Sequence, residues 1–200
     1  APQLKVKKTS YFSFWDFLKR FDNYGKYSVY NLLFYFTLMI ASPFFAVYLL
    51  KELNFDYITF TLISMSSSVF YLIFSPIVGR FSDKFGNVKL LYLGNALFAV
   101  GPLLWLFFKT PLTLILIPQL TSGLANAAFV IGSTNFTYDA VSQQKRGICV
   151  AYTNLLIGIG TFAGSLLGGA LIKYSYIFTT IKPFFFLFIV AAVLRLLVCI

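Results

Sequence analysis

Histidine is missing from all 200 residues. With it go imidazole general bases, His metal ligands, Ser/His and Cys/His nucleophilic pairs, and the usual switch near neutral pH. Two cysteines, Cys149 and Cys199, cannot build a metal cluster or a disulfide framework. No metal, no cofactor and no enzymatic activity are therefore expected. A six-span Ser/His protease lacks its base, and a metalloprotease lacks its ligands. Charge is scarce too: 11% of residues against about a quarter in a soluble domain. What fills the chain instead is apolar. Hydrophobic residues make up 59%, and 25 of them are Phe, an excess that one soluble core cannot bury.

A helix crossing the hydrocarbon layer needs about 20 mainly apolar residues. Six stretches qualify: 29–50, 57–79, 90–108, 114–138, 148–172 and 183–200. Transmembrane strands would alternate apolar and polar residues. Runs such as Leu90–Leu93 and Phe184–Val190 do not alternate. The expected fold is all-α: a polytopic membrane protein with a bundle of six transmembrane helices over 29–200, preceded by a segment over 1–28.

The loops are short, so successive spans should run antiparallel, and Lys/Arg bias sets the orientation. One side collects Lys5, Lys7, Lys8, Lys19, Arg20, Lys26, Arg80, Lys84, Lys89, Lys145, Arg146 and Arg195, twelve in all. The other has four: Lys51, Lys109, Lys173 and Lys182. Both ends are thus expected in the cytoplasm, in a plasma or inner membrane. The net charge of +10 becomes a matter of topology and attraction to anionic lipid. No nucleic-acid motif accompanies it. On this orientation Cys149 and Cys199 should react with thiol reagents from the cytoplasmic side alone. The first 28 residues lack the apolar core and small-residue cleavage site of a signal peptide. Tyr11, Phe14, Trp15, Leu18 and Phe21 share one helical face, which reads as an interfacial helix or juxtamembrane anchor.

Between the second and third spans stands Gly79-Arg80-Phe81-Ser82-Asp83-Lys84-Phe85-Gly86-Asn87-Val88-Lys89. Gly79 is expected to let a helix end pack closely, and Gly86 to supply a left-handed turn. This closely resembles the signature loop of the major facilitator superfamily, at the same place between spans two and three. The family usually has a base directly after the second glycine, where Asn87 and Val88 stand here. The resemblance implies a secondary transporter of twelve spans, of which this chain looks like the N-terminal half, with two inverted three-helix repeats. It implies alternating access for a small-molecule substrate and a C-terminal six-helix half absent from this chain, which is expected to be a fragment or half of an assembly. It also implies an inner gate of Gly79, Arg80, Asp83, Lys84, Gly86 and Lys89, with Asp139 as partner. A surface ion pair would be the plainer meaning of the same charges.

Two further matches are partial. Gly123 is followed by small residues as in the family's fourth helix, but Gln119 stands where that helix often has Arg. Gly160, Gly164, Gly168 and Gly169 resemble the glycine motif of family antiporters, with Ser165 in place of the usual Pro. Close helix packing explains these glycines by itself. Polar residues form stripes on the first, second, fourth and fifth spans. In the family the first and fourth helices line the cavity, which makes Tyr35, Ser42, Gln119, Ser122 and Asn126 the substrate candidates. Helix–helix hydrogen bonding is the competing explanation. No charge lies near the middle of any span as bounded above, and Arg195 is expected to snorkel to the inner interface. The substrate is accordingly expected to be uncharged or amphipathic, of drug or efflux type. The glycosylation triplet at Asn135 falls on the inner side and should be silent. A non-transporting scaffold or sensor with the same fold is the alternative.

Overall fold

The structure, a computed structural model, describes residues 13–19, 23–178 and 182–199. A short helix, α1 (Phe14–Lys19), precedes six long ones. These are α2 (Asn23–Glu52), α3 (Tyr57–Phe85), α4 (Asn87–Phe107), α5 (Pro111–Ala140), α6 (Gln143–Phe178) and α7 (Pro183–Cys199). No strand occurs among the described residues. Helices α2 to α6 are long and apolar enough to cross a membrane. α7 has 17 residues and rises about 26 Å, a little short of the hydrocarbon layer.

Helices α2, α3, α5 and α6 overrun the spans expected from hydropathy. α3 continues six residues past 79, through Arg80, Asp83 and Lys84, to Phe85. Hydropathy falls where charge begins, but a helix needs only continued backbone pairing and favourable side chains. The expected loop thus shrinks to Gly86, whose φ of +91° serves the turn as anticipated. Gly79 does not serve close packing: a Cβ there would meet nothing within 4 Å. At the other end of α3, Asp56 caps the helix, accepting from the Ile58 and Thr59 backbone N–H groups at 3.2 and 3.4 Å. Hydrogen bonding, led by the Thr59 side chain, holds this carboxyl below its ordinary range.

Glycine decides which helices touch. Side chains at Gly160, Gly164 and Gly168 of α6 would collide with the carbonyls of Leu32, Phe36 and Ile40 on α2. The four-residue steps match on both helices, so α2 and α6 run parallel with their backbones in contact. In lipid no hydrophobic force draws helices together, and close backbone approach supplies the dispersion that does. Gly169 lies off this seam, with the Phe44 ring 3.9 Å from where a Cβ would stand. On the other side, Gly123 of α5 lies against Ser67, Phe70 and Tyr71 of α3, and these helices are also parallel. Gly94 and Gly132 bring α4 and α5 together.

The packing pairs carry an internal symmetry. Helices α2–α4 and α5–α7 form two triplets in which α2 corresponds to α5, α3 to α6, and α4 to α7. The pair α2–α6 then matches α5–α3, α2–α7 matches α5–α4, and α4–α7 maps onto itself. Each triplet is odd, so the second enters from the opposite end of the bundle. This is the inverted-repeat arrangement, although the sequence shows no convincing internal similarity.

At the basic end, α1 folds back against α2 and α6. Phe17, absent from the expected apolar face, is its buried residue, and its ring lies 5.4 Å from that of Tyr152. Trp15 is 70% exposed. Tyr11 and Phe21, and the side chain of Leu18, lie outside the described residues. Cys149 is buried beneath this helix, so it is a poor thiol reporter of orientation.

Because of this seam, Gly164→Val should destabilise the purified protein by about 1–3 kcal/mol through overpacking. Gly158→Ala, on an open face of the same helix, should hold or slightly raise the melting temperature. Equal responses in a thermal-shift measurement would contradict the seam.

Candidate functional site

Among the described residues, three polar places bear on function. The first is the junction at the basic end, between the α3–α4 turn and the end of α5. Ser82 Oγ donates to Asn87 Oδ1 at 2.5 Å, and Asn87 Nδ2 donates to Asp139 Oδ2 at 2.7 Å. Asn135 Nδ2 reaches Ser82 Oγ at 3.4 Å. Asp139 therefore does meet the loop, but through an amide. Among the described residues no ion pair joins Asp139 to Arg80, Lys84 or Lys89, and Asp83 is exposed without a described partner. The Lys84 ammonium lies 5.2 Å from the Phe85 ring centre. Asn87, where the family usually has a base, is the residue that makes the link.

The second place is a cavity of about 400 Å³ toward the same end, between α2, α5 and α6. Tyr24, Tyr27, Asn31 and Tyr35 recur every three or four residues and form its α2 wall. Tyr27 and Ser133 share a hydrogen bond across it. The Arg146 guanidinium stands 4.3 Å from the Tyr138 ring centre and donates to the carbonyls of Tyr138 and Val141, at 3.1 and 3.2 Å. It thus caps the C-terminal end of α5 from the start of α6. Of the substrate candidates, Tyr35 belongs here.

The third place is a recess of about 220 Å³ between α2, α4, α5 and α7. It brings Ser42, Ser122 and Asn126 together. It also holds Arg195. This overturns the expected snorkelling. Arg195 is 5% exposed, and its guanidinium donates to Phe98 O and Leu38 O, both at 2.9 Å, and to Thr37 O at 3.5 Å. Phe98 lies 11 residues into the 21 of α4, so the charge sits at about mid-depth. The reason is covalent. Pro102 stands four residues after Phe98 and has no N–H, so the Phe98 carbonyl loses its helical partner. An unmet carbonyl in hydrocarbon costs several kcal/mol, and Arg195 supplies the missing donor. Without Arg195 the basic side counts eleven residues against four, which leaves the charge bias standing.

Gln119 does not join the recess. It ends a π-helical stretch around Pro118, and its amide donates to the Ile63 carbonyl of α3 at 2.8 Å. Hydroxyls on the second span turn back on their own helix: Thr61 on Tyr57 O, Ser66 on Ile63 O and Ser75 on Tyr71 O. Sequence reasoning missed Arg195, Arg146, Asn87 and Tyr27. The signal for Arg195 was a lone charge 12 residues into an apolar run, paired with a proline in another span.

A family model described as Major Facilitator Superfamily matches residues 28–200. Among curated relatives, the vacuolar basic amino acid transporter 2 of Saccharomyces cerevisiae is 35% identical over 98 residues, 49% of this chain and 20% of its own. Multidrug resistance protein 1 of Bacillus subtilis is 30% identical over 115 residues, 58% of this chain and 28% of its own. The class H tetracycline resistance protein of Pasteurella multocida is 30% identical over 100 residues, 50% of this chain and 24% of its own. The matched stretches thus span only 20–28% of the length of these relatives. No solved structure matches it.

The Arg195–Phe98 bond makes a double-mutant test. Arg195→Met should destabilise the protein by about 1–3 kcal/mol. In a Pro102→Ala background, which returns a helical N–H to Phe98, the loss should shrink by about 1 kcal/mol. Strict additivity in denaturation would refute the carbonyl rescue.

Proposed function

This chain belongs to the Major Facilitator Superfamily, and we propose that it is the N-terminal half of a secondary transporter moving a small amphipathic molecule by alternating access. The observation that carries this reading is the polar face that α2 and α5, corresponding helices of the two triplets, present to each other inside an otherwise apolar bundle. Lipid offers such groups no partner, and membrane proteins keep them inside for packing or for a solute. Here the faces enclose space. The expectation of an uncharged substrate rested on an empty mid-depth, which Arg195 fills. What remains of it is the amphipathic character set by aromatic walls and a few polar groups. Relatives named for multidrug and tetracycline resistance fit a drug or efflux substrate, and one named for basic amino acids keeps the choice open.

In this reading the basic end faces the cytoplasm, in a plasma or inner membrane, and the second six-helix half supplies the other cavity wall. The inner gate comprises Gly79, Arg80, Asp83, Lys84, Gly86, Lys89 and Asp139. Ser82 and Asn87 hold Asp139 to the turn, while Arg80, Asp83 and Lys84 remain exposed to meet the other half as it rocks. Gly79, open on its outer face, is where that half would approach.

Two experiments test the proposal. In vesicles containing the full-length protein, Asp139→Asn and Asp83→Asn should each lower solute flux about tenfold or more, about 1.4 kcal/mol in barrier. Unchanged flux in both removes the gate, and no flux of any tested solute removes the transporter in favour of a scaffold or sensor. For orientation, Lys84→Cys should label with an impermeant thiol reagent from the cytoplasmic side only, and Thr110→Cys from the outside only. The reverse pattern would invert the topology.

A further inference from the structure

The buried Arg195 is more than a helix clasp. Its guanidinium has five N–H groups, and the three carbonyls of Thr37, Leu38 and Phe98 take one from each nitrogen. One N–H on each Nη is left, the pair a carboxylate accepts end-on. Carbonyl dipoles satisfy donors but cancel no net charge. Of the five acids in the described residues, Asp16 belongs to the short α1 at the basic end, and Glu52, Asp56, Asp83 and Asp139 lie at the ends of the bundle. The cation therefore lines a recess at mid-depth with no counter-charge among the described residues, the situation in which an intramembrane ionisable group marks a ligand or ion path.

The recess is also shaped for more than an ion. Phe45, Phe98 and Trp105 give it apolar walls, and Ser42, Ser122 and Asn126 line it beside the guanidinium. Asn126 spends one amide N–H on the Ser122 carbonyl at 2.8 Å and keeps a second N–H and its carbonyl oxygen. All of these walls come from this chain. We propose that the recess is a carboxylate-binding subsite, in which Arg195 anchors the anionic group of a small acid whose apolar body lies against Trp105 and Phe45. The inference rests on the transport reading above and narrows its substrate to amphiphiles carrying an acid. An acid from the second half, paired to Arg195 in place of substrate, is the competing outcome.

Benzoate is a suitable probe, with benzamide as its uncharged isostere and benzylamine as its cationic counterpart. Equilibrium binding of radiolabelled benzoate to the full-length protein in detergent at neutral pH should be saturable, and benzamide and benzylamine should compete at least tenfold less well. Arg195→Gln should erase that preference, and Arg195→Lys should keep part of it. Gly101→Leu fills the recess beside Arg195 Nη1 and should abolish benzoate binding while the charge stays in place. Competition by benzamide equal to benzoate, no saturable benzoate binding, or a preference that survives Arg195→Gln would each overturn the subsite. Flux in vesicles separates the two levels. Transport of neutral or cationic solutes by a protein indifferent to benzoate defeats the subsite alone, whereas benzoate binding without flux of any solute defeats the transporter alone.

Discussion

A carbonyl that loses its helical N–H inside a membrane has no water to turn to. At Phe98 that loss is written into the chain by Pro102, and the donor that makes it good is a cation brought from α7. The same guanidinium bonds the Leu38 carbonyl of α2, just before the helix breaks stride at Ser42 and Pro43. One side chain, from the last third of α7, thus ties that helix to α2 and α4 near the middles of both. Its charge is tolerated there because three carbonyls surround it, and that tolerance leaves a polar centre in an apolar bundle.

Around this clasp the architecture follows from backbone approach. Gly160, Gly164 and Gly168 let α6 lie directly on α2, and Gly123 lets α5 lie on α3. These are corresponding pairs in the two inverted triplets, so packing carries a symmetry that side-chain identity has lost. Polar groups then sort by whether they border open space, since Ser42 and Asn126 also bond carbonyls of their own helices. Gln119 is consumed by the Ile63 carbonyl, and Thr61 and Ser75 by their own helix. Tyr35, Ser42, Ser122 and Asn126 line space.

Much of this was legible in the residues. Hydrophobic runs located every long helix, because nothing but lipid or a partner accepts that much Phe, Leu and Ile. The loop from Gly79 to Lys89 pointed to the family, and Gly86 to a turn of positive φ. What escaped depended on three-dimensional neighbours. Nothing local distinguishes a snorkelling Arg195 from a buried one, since the choice depends on an orphaned carbonyl 97 residues away. The gate charges were visible, but their link to Asp139 runs through Asn87, which reads from sequence as a loss rather than a substitute. Gly79 and Gly164 look alike in the chain and differ only in what stands opposite them. The helix ends were missed by a few residues because hydropathy reports solvent, while helices end where the backbone turns.

The burial of the Arg195 guanidinium is the claim most open to direct measurement. In full-length protein carrying ¹⁵N-labelled arginine, its side-chain N–H signals, assigned by their disappearance in Arg195→Lys, report exchange with water. The structure predicts signals protected well beyond those of exposed Arg80. Exchange at Arg80's rate would place the charge at the surface and contradict the account.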